Sequence, residues 1–250
     1  QTAWFGTSGR LYLSDLVMYD RVTGTFWSQL EAAPSVGPLV VRAGLLERVP
    51  VEMALYGGWK ALHPDTVVLD RPRRGDALGN APADPETAGG FPRNYDVDPY
   101  ARYRLTQPAR GQRTQFGIPI NDDRLQAKDS VVGIEAGGVV KAYALDALAE
   151  AGALNDVVGG VPVLAVVGPA GGVRFFERAL DGQTLTFFPD GDALRDELGR
   201  AWSARGAGLD GGVEGRQLRE IVGQVAFWFA WITFNPDTEL YPEYAPPPFV

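Results

Sequence analysis

The chain has 250 residues, a formal net charge of −8, no cysteine and one histidine. This composition excludes disulfides, thiolate metal sites, a cysteine nucleophile and any metal site built from several histidines of the chain. The acidic balance argues against nucleic acid as a partner, and a hydrophobic content of 45% is too high for a disordered chain. We therefore expect neither a bound metal nor a cofactor.

The start of the chain combines glycine with hydroxyl and charged side chains. Residues 6–9 do not complete the Gly-x-Ser-x-Gly turn that presents a nucleophile, because position 10 is arginine. A catalytic pair of Ser8 with His63, the only histidine, is therefore disfavoured. A tight turn whose hydroxyls bond the backbone is favoured instead. Contact with a polar ligand by Thr7, Ser8 and Arg10 stays open as the alternative.

If residues 11–19 form one strand, apolar side chains fall on both of its faces. The pattern therefore predicts a central strand that is covered on both sides. Asp15 would be buried there and would need a partner, for which Arg10 and Arg21 are the candidates. A structural ion pair is favoured, and a functional carboxylate is the alternative. The candidate ligand-binding residues are thus Thr7, Ser8, Arg10, Asp15 and Arg21.

Three hairpins are predicted where glycine-containing turns separate β-prone runs. They cover residues 16–29, 131–143 and 173–188. Short helices are predicted at residues 146–151 and 192–198, each followed by glycine. Two further segments, which lead up to His63 and Asn235, are predicted to be helical. Both helices should end there, because proline follows and the residue before a proline disfavours the helical conformation.

The longest apolar run covers residues 221–234, whereas a bilayer-spanning helix needs about 20 residues. We therefore expect no membrane-spanning segment in this chain. A buried core helix or strand is the favoured interpretation of the run. The alternative is an aromatic face turned towards a partner or a membrane surface, which makes Trp228 and Trp231 candidate partner-binding residues.

Three short stretches occur twice, in the same order. Residues 1–5 correspond to 183–187, residues 24–28 to 199–203, and residues 56–66 to 228–238. This order indicates duplication of one large unit. A strand-rich stretch at about residues 130–180 belongs to the second unit only. We therefore expect the first unit to lack its N-terminal part, so that residues before Gln1 or another element would fill the gap.

These patterns together predict an α+β, β-dominated fold with two tandem copies of a duplicated β-rich unit. The predicted parts are an incomplete first unit at 1–70, a long loop and aromatic strap at 71–128, a second unit at 129–241 and a proline-rich tail at 242–250. The tail supplies three further candidate partner-binding residues, Tyr244, Pro247 and Phe249. A tail that lies on the surface of its own domain is equally open.

The chain also resembles a known family. Residues 5–21, which begin Phe-Gly-Thr-Ser-Gly-Arg, look like the signature of a bacterial family known as domain of unknown function 3179, and stretches along nearly the whole chain fit it. The resemblance implies an exported or lipid-anchored, extracytoplasmic protein and implies no particular activity. Members typically carry a Cys-Pro-x-Cys-like segment before this signature, which the present chain lacks.

The function expected from the sequence is a non-catalytic, extracytoplasmic protein-binding module. It would be an accessory or structural subunit of a larger membrane-associated assembly, with other protein subunits as partners. Two alternatives stay open. One is an enzyme or small-ligand-binding protein that uses a cleft between the two units. The other is a carbohydrate- or peptide-binding protein that uses Trp27, Trp59 and the tyrosines of the strap.

Overall fold

The computed structural model describes residues 4–68, 101–114 and 117–243. Strands predominate over short helices there, which confirms the predicted β-dominated fold. The first range contains β1 (Phe5–Tyr12), β2 (Asp15–Asp20), β3 (Phe26–Ser28), β4 (Ala33–Val36) and α1 (Tyr56–Leu62). After α2 (Ala101–Leu105) come β5 (Ser130–Ala136), β6 (Val139–Ala144), α3 (Leu145–Ala151), β7 (Ala153–Val158), β8 (Val161–Val167), β9 (Val173–Glu177), β10 (Ala179–Leu180), β11 (Gln183–Thr184), β12 (Phe187–Asp190), β13 (Ala193–Asp196), β14 (Ala201–Ser203), β15 (Arg219–Ile221), β16 (Gln224–Phe227), α4 (Trp228–Phe234) and β17 (Glu239–Tyr241). We call residues 4–68 the N-terminal half and residues 129–243 the C-terminal half.

Two stacked sheets form the centre of the C-terminal half. Their strand orders are β15-β9-β8-β7 and β16-β5-β6-β17, and all pairs are antiparallel except β6 with β17. The core between the sheets is aliphatic and aromatic. It includes Val132, Ile134, Tyr143, Val163 and Phe175. Burial of this apolar surface is the main favourable contribution to folding of this half.

A further layer covers the outer face of each central sheet. Strand β8 shows why both faces are apolar: Val163 and Ala165 face the other central sheet, whereas Leu164 and Val166 face the opposite way. There they pack with Trp202 and the three-stranded sheet β12-β13-β14. On the other side of the stack, α4 lies on β5 and β6.

Helix α4 approaches β5 closely because β5 has a glycine at the contact. A Cβ atom on Gly133 would overlap the ring of Trp231, which is 5% exposed. The Trp231 indole N–H donates to the hydroxyl of Thr238 at 2.9 Å, after the helix has ended before Asn235. In α1 the equivalent bond joins Trp59 to Thr66 at 3.0 Å.

The N-terminal half contains one antiparallel sheet of order β1-β2-β3-β4. The predicted single strand over residues 11–19 is wrong, because the chain turns between β1 and β2. Leu13 and Ser14 both have positive φ, 50° and 65°, which a tight two-residue hairpin turn requires. Leucine and serine are not the usual residues for such a turn, so the sequence concealed it.

Most of the other predicted elements that the structure describes are confirmed, and one is wrong. The hairpin at 131–143, the helix at 146–151 and the helices before His63 and Asn235 are confirmed. The predicted helix at 192–198 is wrong, since Ala193–Asp196 form β13 and Leu194 is buried against the aromatic core of its sheet. Residues 71–100 of the predicted loop and strap, and the tail from residue 244, lie outside the described residues.

Arg174 of β9 connects the two halves. Its guanidinium contacts Glu52 at 2.8 Å and Glu220 at 2.9 Å. Close by, the N–H of Leu55 donates to the carbonyl oxygen of Ala170 at 3.1 Å. The segment before α1 is therefore held along the edge of the C-terminal half.

We predict that Gly133→Ala destabilises the protein by about 1–3 kcal/mol, because the added methyl group overlaps the Trp231 ring in a packed layer. The matched control is Gly44→Ala, since a Cβ atom at Gly44 meets open space. The control should change the free energy of unfolding by less than about 0.5 kcal/mol. Urea unfolding monitored by tryptophan fluorescence measures both, and equal effects would contradict the packing argument.

Candidate functional site

Thr7, Ser8 and Arg10 lie on β1, where the pairing register with β2 shifts. The Ser8 hydroxyl donates to the carbonyl oxygen of Val17 at 2.5 Å and accepts from the N–H of Arg10 at 3.1 Å. The hydroxyl therefore braces a bulge in the strand. Thr7 and Arg10 are exposed, and the Arg10 guanidinium lies 5.9 Å from the ring centre of Phe26.

Asp15 begins β2, and its Oδ2 accepts from the N–H of Leu30 at 2.9 Å. Burial raises the pKa of the Asp15 carboxyl, while backbone hydrogen bonds, first that of Leu30, oppose the shift. Neither Arg10 nor Arg21 pairs with Asp15 in the described structure. The Arg21 guanidinium instead lies 5.9 Å from the ring centre of Tyr19. Asp15 thus ties the loop after β3 to β2.

A cleft of about 590 Å³ lies between the two halves. The N-terminal half contributes the loop at Leu30 and Glu31, together with Arg48. The carbonyl oxygen of Leu30 accepts from Arg48 at 2.6 Å and from the side chain of Gln224 at 3.3 Å across the cleft. Other polar or charged lining residues are Glu135, Arg219, Glu220 and Asn235. Groups of both charges face the cleft, whereas the five predicted ligand-binding residues do not line it.

Each half buries an aspartate against a tryptophan. In the N-terminal half the Trp27 indole N–H donates to Asp20 at 3.3 Å, and the Phe5 ring meets the Trp27 ring edge-on at 5.8 Å. In the C-terminal half the Trp202 indole N–H donates to Asp196 at 2.9 Å, and the Phe187 ring meets the Trp202 ring edge-on at 5.7 Å. Phe5 is paired with Asp20, and Phe187 with Asp196, in their respective sheets.

These two carboxylates have lowered pKa values. The pKa of Asp20 is lowered to about 2, first by the hydroxyl and the N–H of Thr23 and then by Trp27. Burial alone would raise the pKa of Asp196, but hydrogen bonds from Trp202 and Arg200 bring it below its usual value. Both aspartates are therefore charged at neutral pH and serve as fixed acceptors rather than as proton donors.

A third carboxylate, that of the half-buried Asp156, belongs to a paired network. Its Oδ2 contacts the Lys141 ammonium at 2.8 Å and accepts from the Tyr143 hydroxyl at 2.8 Å. Burial, followed by the bond to Asp156, raises the pKa of Tyr143, so this hydroxyl stays protonated. For Asp156 itself, the bonds from Lys141 and Tyr143 outweigh burial and lower the pKa. The charges compensate each other, which is typical of a structural network.

His63 lies at a different contact from Ser8. Its Nε2 is 2.6 Å from the guanidinium of Arg205, and its ring lies 4.2 Å from the ring of Trp59. The Arg205 guanidinium also lies over Trp59, at 5.5 Å from the ring centre. Since the Ser8 hydroxyl is bonded to backbone groups of its own sheet, the two residues are not brought together as nucleophile and base.

The candidate partner-binding tryptophans are enclosed within the C-terminal half. Trp228 is fully buried, with the Arg124 guanidinium 5.0 Å from its ring centre, and Trp231 covers Gly133. Glycine in β5 lets the helix lie this close, so both side chains act in packing. Trp228 has no exposed surface, whereas Trp231 is 5% exposed and also lines the cleft. The other three candidates, Tyr244, Pro247 and Phe249, lie outside the described residues.

A row of exposed apolar side chains precedes α1 and was not singled out from the sequence. Val49, Val51, Met53 and Leu55 are between 62% and 77% exposed. Glu52 and Ala54, which alternate with them, are half-buried. This alternation has the period of a β-strand and could have been found as such, although Pro50 weakens the signal. We call these four side chains the exposed row.

No group of three or more histidine, aspartate or glutamate side chains could hold a metal ion within the described ranges. Among the helices described above, none is long and apolar enough to cross a membrane.

Comparison with protein families identifies the chain. The model of the family described as protein of unknown function DUF3179 matches residues 1–238. The chain belongs to this family. The resemblance seen at residues 5–21 is thereby confirmed. No curated protein and no solved structure matches the chain.

We predict that Asp20→Asn makes stability less dependent on pH between about 4 and 2. An aspartate with its ordinary value of 3.8 in the unfolded chain takes up a proton in this window, whereas folded Asp20 stays charged down to about 2. The stability that Asp20 provides is therefore present above pH 4 and is lost as the pH falls towards 2.

The measurement is urea unfolding of the parent and the variant at pH 5 and at pH 2.5. The variant should be less stable than the parent at pH 5, and the gap should narrow at pH 2.5. Asp65→Asn is the matched control, because Asp65 is an exposed aspartate of the same half. A gap that is equal at both pH values would rule out the coupled titration.

Proposed function

We propose that the protein is a non-catalytic, extracytoplasmic protein-binding module. It would serve as an accessory or structural subunit of a membrane-associated assembly. The observation that carries the proposal is the exposed row together with Tyr56, which is 59% exposed. Contiguous apolar surface on a folded protein is typical of a contact site for another protein or a membrane.

The apolar exposure is concentrated in the N-terminal half. Most of the large hydrophobic side chains that are exposed in the described ranges lie between residues 4 and 68. The C-terminal half buries its own apolar groups in stacked layers. This asymmetry favours the N-terminal half as the binding surface. The single histidine and the absence of cysteine support the non-catalytic part of the proposal.

We also propose that the two halves derive from one duplicated unit. Matched local contacts support this. The aspartate–tryptophan–phenylalanine clusters have the same strand pairings, and the two tryptophan–threonine bonds follow helices of equal length. The backbone at the end of each helix is also similar, with φ and ψ of −130° and 71° at His63 and −133° and 67° at Asn235.

The location outside the cytoplasm is supported by the family resemblance at residues 5–21. The membrane association of the assembly has the same support. The exposed row itself requires only an apolar partner surface, and protein subunits are the partners that we propose.

We predict that a photo-crosslinking amino acid at position 53 captures a protein partner in cells of the native host. Met53 is 62% exposed in the centre of the exposed row. Position 157 is the matched control, because Val157 is 53% exposed on the C-terminal half. Mass spectrometry should identify an adduct that is specific to position 53. No adduct there, or the same adducts at both positions, would contradict the proposal.

A charge in the row should weaken this capture. Val51→Glu places a carboxylate in the apolar contact, where burial without a partner is unfavourable. We expect at least about a tenfold loss of the adduct formed at position 53, which corresponds to about 1.4 kcal/mol.

The cleft between the halves favours a second candidate function, the binding of a small polar ligand. Its volume of about 590 Å³ is in the range of ligand sites, and its charges of both signs suit a zwitterion.

The probes for this second function are the free amino acids at millimolar concentration in a thermal-shift assay. An amino acid that binds should raise the melting temperature of the parent but not that of Glu135→Gln, which changes a residue that lines the cleft. The control Glu150→Gln changes an exposed glutamate outside the cleft and should keep the shift. The absence of any shift would dismiss this candidate.

A further inference from the structure

The segment that carries the exposed row has no neighbouring strand among the described residues. In the described part of the chain, no backbone hydrogen bond reaches residues 47–54. Side chains alternate between exposed and half-buried over residues 51–55, as in a strand. The half-buried Glu52 is fixed by Arg174, so one side of the segment rests on the C-terminal half. The side chains of the exposed row lie on its other side.

The C-terminal half contains the same stretch with its neighbours in place. Helices α1 and α4 begin at Tyr56 and Trp228. Counted back from these helix starts, residues 47–49 are the counterparts of β15 and residues 52–55 are the counterparts of β16. Strand β15 pairs with β9, and β16 pairs with β5. The short segment after α4 is β17, which pairs with β6. Its counterpart, residues 67–68, has no strand partner among the described residues.

Exposure differs at equivalent positions as this pairing requires. Trp228 is fully buried, whereas Tyr56 is 59% exposed. Leu240 of β17 is 6% exposed, whereas Val68 is 69% exposed. The strands that cover α4 and β17 are β5 and β6, which form one hairpin. The uncovered surface of the N-terminal half therefore has the shape that such a hairpin covers elsewhere in this chain.

We propose that residues 52–55 and 67–68 receive a β-hairpin from a protein partner by strand addition. This inference rests on the proposed function and specifies how the partner binds. One strand of the hairpin would run antiparallel to residues 52–55, as β5 runs along β16, and the other would run parallel to residues 67–68. Backbone hydrogen bonds would supply affinity, and alternate apolar side chains would supply specificity.

The chemistry of the bound hairpin follows from β5. A glycine faces Trp231 there, because any side chain would overlap the indole ring. The partner strand would likewise need glycine opposite Trp59, with β-branched residues on either side of it. Among residues 52–55, the N–H of Leu55 is already bonded to Ala170, whereas residues 52–54 have no backbone hydrogen bond within the described part of the chain.

The test fuses a second copy of residues 126–146 to the N-terminus of the full chain through a Gly/Ser linker of about 20 residues. Such a linker has a root-mean-square span of about 25 Å, which raises the local concentration of the hairpin. Hydrogen–deuterium exchange with mass spectrometry then reports on the amides of residues 52–55. We expect exchange at least about tenfold slower than in the unfused chain.

One variant of the fusion makes the result specific. Gly133→Val, placed only in the added copy, should abolish the protection, because a valine cannot lie against the Trp59 ring.

Unchanged exchange at residues 52–55 in the fusion would overturn strand addition. So would protection that survives Gly133→Val in the added copy. The protein-binding proposal is tested separately by cross-linking at position 53. An adduct at that position without protection in the fusion would mean that a partner binds by side chains alone.

Discussion

The contact between Trp231 and Gly133 determines the layered arrangement of the C-terminal half. Because β5 has no side chain at this position, the indole ring lies directly on the strand backbone. Helix α4 can then rest flat on β5 and β6, and the bond from Trp231 to Thr238 sets the path of the chain into β17. The central sheets behind this contact have apolar residues on both faces, so each depends on its outer layer to keep water away from one face.

Helix α1 of the N-terminal half is as long as α4 and is followed by a similar tryptophan–threonine bond, but different residues surround its tryptophan. Trp59 is flanked by His63 and Arg205, which are polar, and α1 buries no side chain fully. The internal order of this half comes instead from Asp20, whose carboxylate gathers the Thr23 groups and the Trp27 indole. Charge-assisted hydrogen bonds thus stabilise a small sheet that has little apolar core.

Local signals in the sequence predicted local structure well. The Gly-Gly turn at residues 137–138 predicted its hairpin, because only glycine adopts two successive positive φ angles without strain. The turn at Leu13 and Ser14 has the same backbone without the usual residues, so the pattern gave one strand in place of two. The predicted helix at 192–198 failed because burial of Leu194 outweighs local preference.

Long-range contacts were beyond the reach of sequence patterns. Nothing near Asp15 in the sequence indicates that Leu30 would be its partner, and polar residues close to one another did not converge on a cavity. In each aspartate–tryptophan cluster, the phenylalanine, the aspartate and the tryptophan come from three successive strands. Neither cluster was predicted from the sequence. The alternation at residues 49–55 was readable, but exposure is a property of the fold and cannot be read from one segment.

The position of Arg174 has an entropic consequence. Its bonds to Glu52 and Glu220 fix the extended segment before α1 against a rigid sheet, and the Leu55–Ala170 bond fixes its end. A free strand of this length would lose backbone freedom on association, at about 1–2 kcal/mol per residue. Here that loss has already occurred during folding, so the segment is a preorganised edge whose apolar groups are ordered before anything touches them.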